Sequence, residues 1–127
     1  MNRLAIGTAQ FGMDYGIGSS PGKVSISEVK KILEYAQSTN IDMLDTASAY
    51  GKSEKTLGEL NVDKFKVVTK TRHFNALKLT DDDVNLLNHD FDRSLQDLKL
   101  DSVYSLLIHN ADDLMKPGAS KIIEFIQ

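Results

Sequence analysis

Cysteine is absent from the 127 residues, which excludes disulfides and thiol chemistry and fits a reducing, cytoplasmic setting. No apolar run approaches the ~20 residues needed to span a bilayer as a helix, so a membrane role is not expected. The opening stretch, MNRLAIGTAQFGM, has too short an apolar segment, broken by Gly and Gln, to read as a secretory signal. There is no basic excess either. Lys and Arg number 15 against 18 Asp and Glu, a net charge of −3, which argues against a nucleic-acid partner. With three histidines and no cysteine, no cluster has metal-ligand spacing, and no metal site is expected. What is present is an ordinary globular composition, 41% hydrophobic and 26% charged, in a length that suits one core.

Along the chain, strand-like and helix-like patterns alternate. Leu4 to Gly7 is a short apolar run closed by Gly, followed by AQFGMDYGIGSSPG, whose glycines, serines and proline read as a loop. VSISEVKKILEYAQSTN has the period of a helix, with Ile26, Val29, Leu33 and Ala36 on one stripe, a capping pair in Ser25 and Glu28, and Asn40 as a stop. IDMLD is a second strand, SEKTLGEL a short helix that Ser53 could cap, and FKVVTK a third strand rich in β-branched residues. Thr80 and the acidic Asp81 to Asp83 suit a helix start. Val84, Leu87, Phe91, Leu95 and Leu98 then recur at helical steps. SVYSLLIH is the fourth strand, and a last helix is expected from about Pro117.

Four strand–helix units imply parallel strands with crossover helices. Two architectures fit: a small open doubly wound sheet, or part of a (β/α)₈ TIM-type barrel. A full barrel needs roughly 250 residues, and the sequence stops in an apolar, uncapped helix. The expectation is therefore a single unit, residues 1–127, forming the first four βα units of a longer barrel.

In such folds functional groups gather at the C-terminal ends of the strands. Asp45 ends the second strand, Lys70 the third and His109 the fourth, and Tyr50 lies in the loop after the second. Alternation puts Met43 with Asp45, Val68 with Lys70, and Leu107 with His109 on a shared face. A tyrosine phenol, with an ordinary pKa of about 10, is a reluctant acid at neutral pH. A nearby ammonium makes any phenol a better one. Lys70 supplies such a cation, Asp45 a carboxylate to keep it charged, and His109 a hydrogen-bonding group for a substrate oxygen. Together they suit proton donation to a developing alkoxide. The hydride of a reduction would have to come from a cofactor.

These residues stand in stretches that carry a resemblance. GTAQFG, LDTASAYGKSEKTLGEL, VVTK and DRSLQDLKLDSVYSLLIHN, in this order, resemble the N-terminal half of the aldo-keto reductase superfamily. The resemblance covers nearly the whole chain. It implies a (β/α)₈ barrel and reduction of aldehyde or ketone carbonyls by NADPH or NADH. By the same resemblance the catalytic tetrad is Asp45, Tyr50, Lys70 and His109, and Gly7, Thr8 and Asp45 border the nicotinamide end of the cofactor. Most of the family's cofactor-binding residues lie in the second half of the barrel. The isolated chain is thus expected to be inactive, and to self-associate or need a second half.

Each of these residues has a plainer reading when taken singly. Asp45 could be a turn or cap residue, Tyr50 a half-buried packing residue, Lys70 a solvated strand end and His109 a hydrogen-bonded rim histidine. Their common placement, together with the resemblance, turns the balance. His89, on the polar side of a long helix, reads as solvated. His73 lies three residues beyond Lys70 and could approach the rim, but its default reading is an ordinary loop residue. Gly16, Gly18 and Gly22 lack the spacing of a dinucleotide fingerprint. Two other functional classes stay open: Schiff-base chemistry at Lys70, and a non-catalytic half-barrel or binding module.

Overall fold

The computed structural model describes residues 3–16 and 22–127. Four parallel strands, β1 (Ile6–Gly7), β2 (Met43–Asp45), β3 (Lys66–Lys70) and β4 (Ser105–Leu107), form one sheet in the order β1-β2-β3-β4. Each strand is laid beside its predecessor. A doubly wound sheet reverses its strand order at a switch point, whereas a barrel keeps adding strands on one side. The sequential order therefore decides between the two expected architectures in favour of the barrel type.

Helices α1 (Ala9–Gly12), α2 (Ile26–Ser38), α3 (Ser53–Glu59), α4 (Asp81–Leu98) and α5 (Ser120–Ile126) follow the strands, with a 3-10 turn at Ala111–Met115 before α5. In α2 the Ser25 hydroxyl accepts the Glu28 N–H at 3.4 Å, and Asn40 takes a left-handed φ of 59° just past the helix end. At the start of α4 the Asp83 carboxylate accepts from the Thr80 backbone N–H at 2.8 Å and from its hydroxyl at 2.9 Å.

Strand register sorts the side chains into two faces. Leu44 pairs with Val67, and both are buried beneath the helices with Val29, Leu33, Ala36, Leu57 and Leu98. On the other face Gly7 pairs with Asp45, Asp45 with Val68, and Lys70 with Leu107. Leu107 on this face is 45% exposed. β1 and β4 are the sheet's two edges. A second, smaller core of Phe74, Leu79, Leu87, Ala119 and Ile122 ties the segment after β3 to α4 and α5.

Four local expectations are corrected. Ala9–Gly12, expected as loop, is a single helical turn, too short to show periodicity; residues 17–21 of that stretch, with Gly18, lie outside the described residues. Ser53 does not cap α3. It is the first helical residue, and its hydroxyl turns inward. Ile26 is exposed although Val29, Leu33 and Ala36 of its stripe are buried. The last helix begins at Ser120, because the Pro117 carbonyl is taken by the Leu79 N–H at 2.8 Å in a turn.

Candidate active site

Asp45 and Lys70 are the last residues of β2 and β3, and His109 lies two residues past β4. The Lys70 ammonium donates to the Asp45 carboxylate and, at 2.9 Å, to the Thr46 carbonyl. Its side chain is 14% exposed against 45% for Asp45, so the cation is sunk in the rim while the carboxylate faces outward. Nζ lies 5.0 Å from the centroid of the Tyr50 ring. The His109 ring stands edge-on to that same ring, with centroids 5.9 Å apart and planes at 83°. Tyr50 thus has the cation and the imidazole around it, and Asp45 behind the cation.

His109 is held by its main chain: its N–H donates to Thr71 Oγ1 at 3.1 Å, and the Thr71 N–H donates to the Leu107 carbonyl at 2.8 Å. Burial, then the neighbouring His73, then Lys70 hold its pKa below the usual 6.5, so the neutral imidazole is favoured. Its Nδ1 is buried with no hydrogen-bond partner among the described residues, which leaves Nε2 as the nitrogen that can reach a ligand. His73 lies against this ring, with centroids 4.2 Å apart and planes tilted by 42°. His89 is solvated, its side chain 77% exposed.

Beneath the rim lies a buried layer of hydroxyls. Thr8 donates to the Asp45 carbonyl through both its N–H and its Oγ1, each at 3.0 Å. Ser53 Oγ is 2.9 Å from Thr8 O and from Thr8 Oγ1, and 3.2 Å from Thr46 Oγ1. Thr8, Thr46 and Ser53 are fully buried. The Thr8 side chain therefore fixes the end of β2 from below. Gly7 is different. It is exposed beside Asp45, and a Cβ built on it would meet nothing within 4 Å. The sheet surface is open there.

The Tyr50 loop is set by two glycines in close approach. A Cβ on Gly12 would lie 2.0 Å from the Tyr50 carbonyl oxygen and 2.2 Å from the Ser53 nitrogen. Gly51, at φ 58°, would push one to within 2.7 Å of the Gly12 carbonyl. Only glycine lets α1 press against the loop that carries Tyr50.

Glu54, in the first turn of α3, is buried and accepts from Thr69 Oγ1 at 2.5 Å. Burial raises its pKa above the usual 4.5, against the bonds from Thr69 and Ser94. The folded chain thus holds this proton to higher pH than the unfolded chain does. Folding is penalised by ionisation as pH rises past 4.5 and through the raised value. In Glu54→Gln that penalty vanishes. Urea midpoints of wild type and variant should diverge as pH rises above 4.5, with the variant gaining; a constant difference would place the charge in water.

Among the described residues, no group of three or more His, Asp or Glu side chains could hold a metal ion, and no helix is long and apolar enough to cross a membrane. The model of the "Aldo/keto reductase family" matches residues 3–126. A curated relative, the oxidoreductase sirO of Leptosphaeria maculans, is 39% identical over 71 residues, 53% of this chain and 22% of its own. Two solved structures from Pseudomonas aeruginosa, each assigned to the aldo-keto reductases, superpose over 94% of this chain with TM-scores of 0.73 and 0.70, at 24% and 23% identity. The chain spans 49% and 48% of those two proteins.

Proposed function

The chain belongs to the aldo/keto reductase family, and on that premise we propose that it supplies the proton-donating half of a carbonyl reductase. Tyr50 is the donor, Lys70 and Asp45 its electrostatic partners, and His109 the group that orients the substrate. The observation that carries this reading is the Lys70 ammonium, fixed by Asp45 and Thr46, 5.0 Å from the Tyr50 ring.

A reduced nicotinamide, NADPH or NADH, supplies a hydride to the carbonyl carbon when bound. Gly7 offers it an open approach, and Asp45 borders the same strip of sheet. The chain's own residues manage the oxygen. Neutral His109 donates a hydrogen bond from Nε2 to the carbonyl oxygen and aims it at Tyr50. As the C=O π bond breaks and negative charge gathers on oxygen, the Tyr50 hydroxyl delivers its proton, and an alcohol forms. The Lys70 charge stabilises the phenolate left behind. Solvent then returns the proton to Tyr50. Lys70 suits this role better than Schiff-base formation, because its Nζ is already engaged by the Asp45 carboxylate and the Thr46 carbonyl.

The uncovered sheet face and the two open edges support a second proposal: the working site needs a complementary half-barrel. The assembled enzyme then comprises both halves in the cytoplasm, acting on a small carbonyl compound. The test compares the two forms. The 127-residue chain alone should elute from size exclusion as oligomers, bind NADPH more weakly than micromolar and oxidise none of it. The assembled enzyme should oxidise NADPH only when an aldehyde or ketone is added. A monomer that binds NADPH at micromolar levels would contradict the half-barrel.

A further inference from the structure

The cluster contains one imidazole that the proposed mechanism does not use. His73 is exposed, yet its ring lies 4.2 Å from that of His109 at a 42° tilt. We propose that His73 is a positioning residue for His109, its ring backing the second imidazole so that the latter stays edge-on to Tyr50 with Nε2 turned to the carbonyl oxygen. This rests on the reductase reading of the site.

Three observations carry the inference. First, His73 is anchored on both sides although it is itself exposed. Thr71 is buried and bonded to the Leu107 carbonyl and to the His109 N–H. Phe74 is buried in the second core, and its carbonyl accepts from Lys116. A residue between two such anchors has little freedom to swing away.

Second, among the described residues no side-chain hydrogen bond fixes the His109 ring. Its N–H to Thr71 belongs to the main chain, and Nδ1 has no partner among the described residues. An imidazole without a polar tether is oriented by what it packs on. Here that is Tyr50 at its edge and His73 against its ring. Third, the arrangement opposes charge on His109. A proton on one imidazole repels a proton on the other, in the same sense as burial and Lys70. On the rim side the pair also faces Asp45 and Tyr50. On the outer side His73 borders a cleft of about 300 Å³ that holds Glu54, Arg93, Asp97 and the Arg72–Asp90 ion pair, the last at 3.2 Å. Two of the three acids in that cleft have basic partners: Asp90 has Arg72, and Asp97 lies 3.9 Å from Arg93, while Glu54 is bonded to the Thr69 and Ser94 hydroxyls.

The test uses His73→Ala and His73→Phe, neither of which removes a buried group. In the 127-residue chain, histidine-selective NMR should show His109 titrating at higher pH in both variants than in wild type. The part of the ring-current shift on His109 that comes from residue 73 should persist in the Phe variant and be lost in the Ala variant, leaving only that from Tyr50. In the assembled enzyme, the Ala variant should lose roughly tenfold in kcat/KM, as expected for one lost ring contact, and the Phe variant should recover it. Unmoved His109 titration and ring shifts would overturn the inference whether or not the protein is a reductase. Moved titration with wild-type kcat/KM in both variants would overturn the positioning role. If wild type reduces no carbonyl while the NMR coupling is present, the reductase reading falls, and the positioning role falls with it.

Discussion

Tyr50→Phe should lower kcat for carbonyl reduction in the assembled enzyme by about 10²–10⁴-fold, the span of general acid catalysis. The substitution keeps the ring, so the edge contact with His109 and the face offered to Lys70 survive. It removes only the proton. Tyr50 is half-buried in a loop set by Gly12 and Gly51, and the phenyl ring fills the same space. NADPH affinity should therefore change little, and the loss should appear in kcat. Steady-state kinetics with a parallel cofactor titration reads both. A variant retaining more than about a tenth of wild-type kcat at neutral pH would remove Tyr50 from the donor role.

Lys70→Met should cost about 10²–10³-fold, the usual worth of one preorganised electrostatic group in a transition state. Structure predicts that the variant folds. Asp45 is 45% exposed, so the carboxylate that loses its partner remains in contact with water and is not stranded in the interior. The methionine chain can follow the buried path of the lysine stem. The loss should fall on kcat, because the cation that stabilises the phenolate in the transition state is gone. A loss in kcat of less than about tenfold would make Lys70 a structural residue. Disappearance of a borohydride-trapped adduct along with activity would favour the Schiff-base alternative.

The rim was legible in the sequence because each of its residues follows a local signal. Asp45 and Lys70 close short apolar or β-branched runs, His109 stands just past a third, and strand period assigns them one face. The amphipathic helices α2 and α4 were equally readable, with Thr80 at the start of α4; the pairing of Thr80 with Asp83 appears only in the structure. What stayed hidden depends on segments that meet only in the fold. Ser53 reaches Thr8 across 45 positions, and no spacing in the sequence announces that contact. Gly12 reads as a loop glycine until the Tyr50 carbonyl is seen where its side chain would be. Ser94 interrupts the apolar stripe of α4, and its reason is the buried Glu54 opposite. His73 carried only proximity to Lys70 in sequence; its contact with His109 depends on how Thr71 binds the exit of β4.

The central claim is that this rim reduces a carbonyl with a hydride from a nicotinamide and a proton from Tyr50. Isotope transfer tests it most directly. The assembled enzyme is given an aldehyde and NADPH deuterated at the transferable C4 position, and the alcohol is analysed by mass spectrometry. The account predicts one deuterium per alcohol, bound to carbon, with formation slowed in Tyr50→Phe by the factor given above. Alcohol without deuterium, or no alcohol but a borohydride-trapped adduct on Lys70, would contradict it.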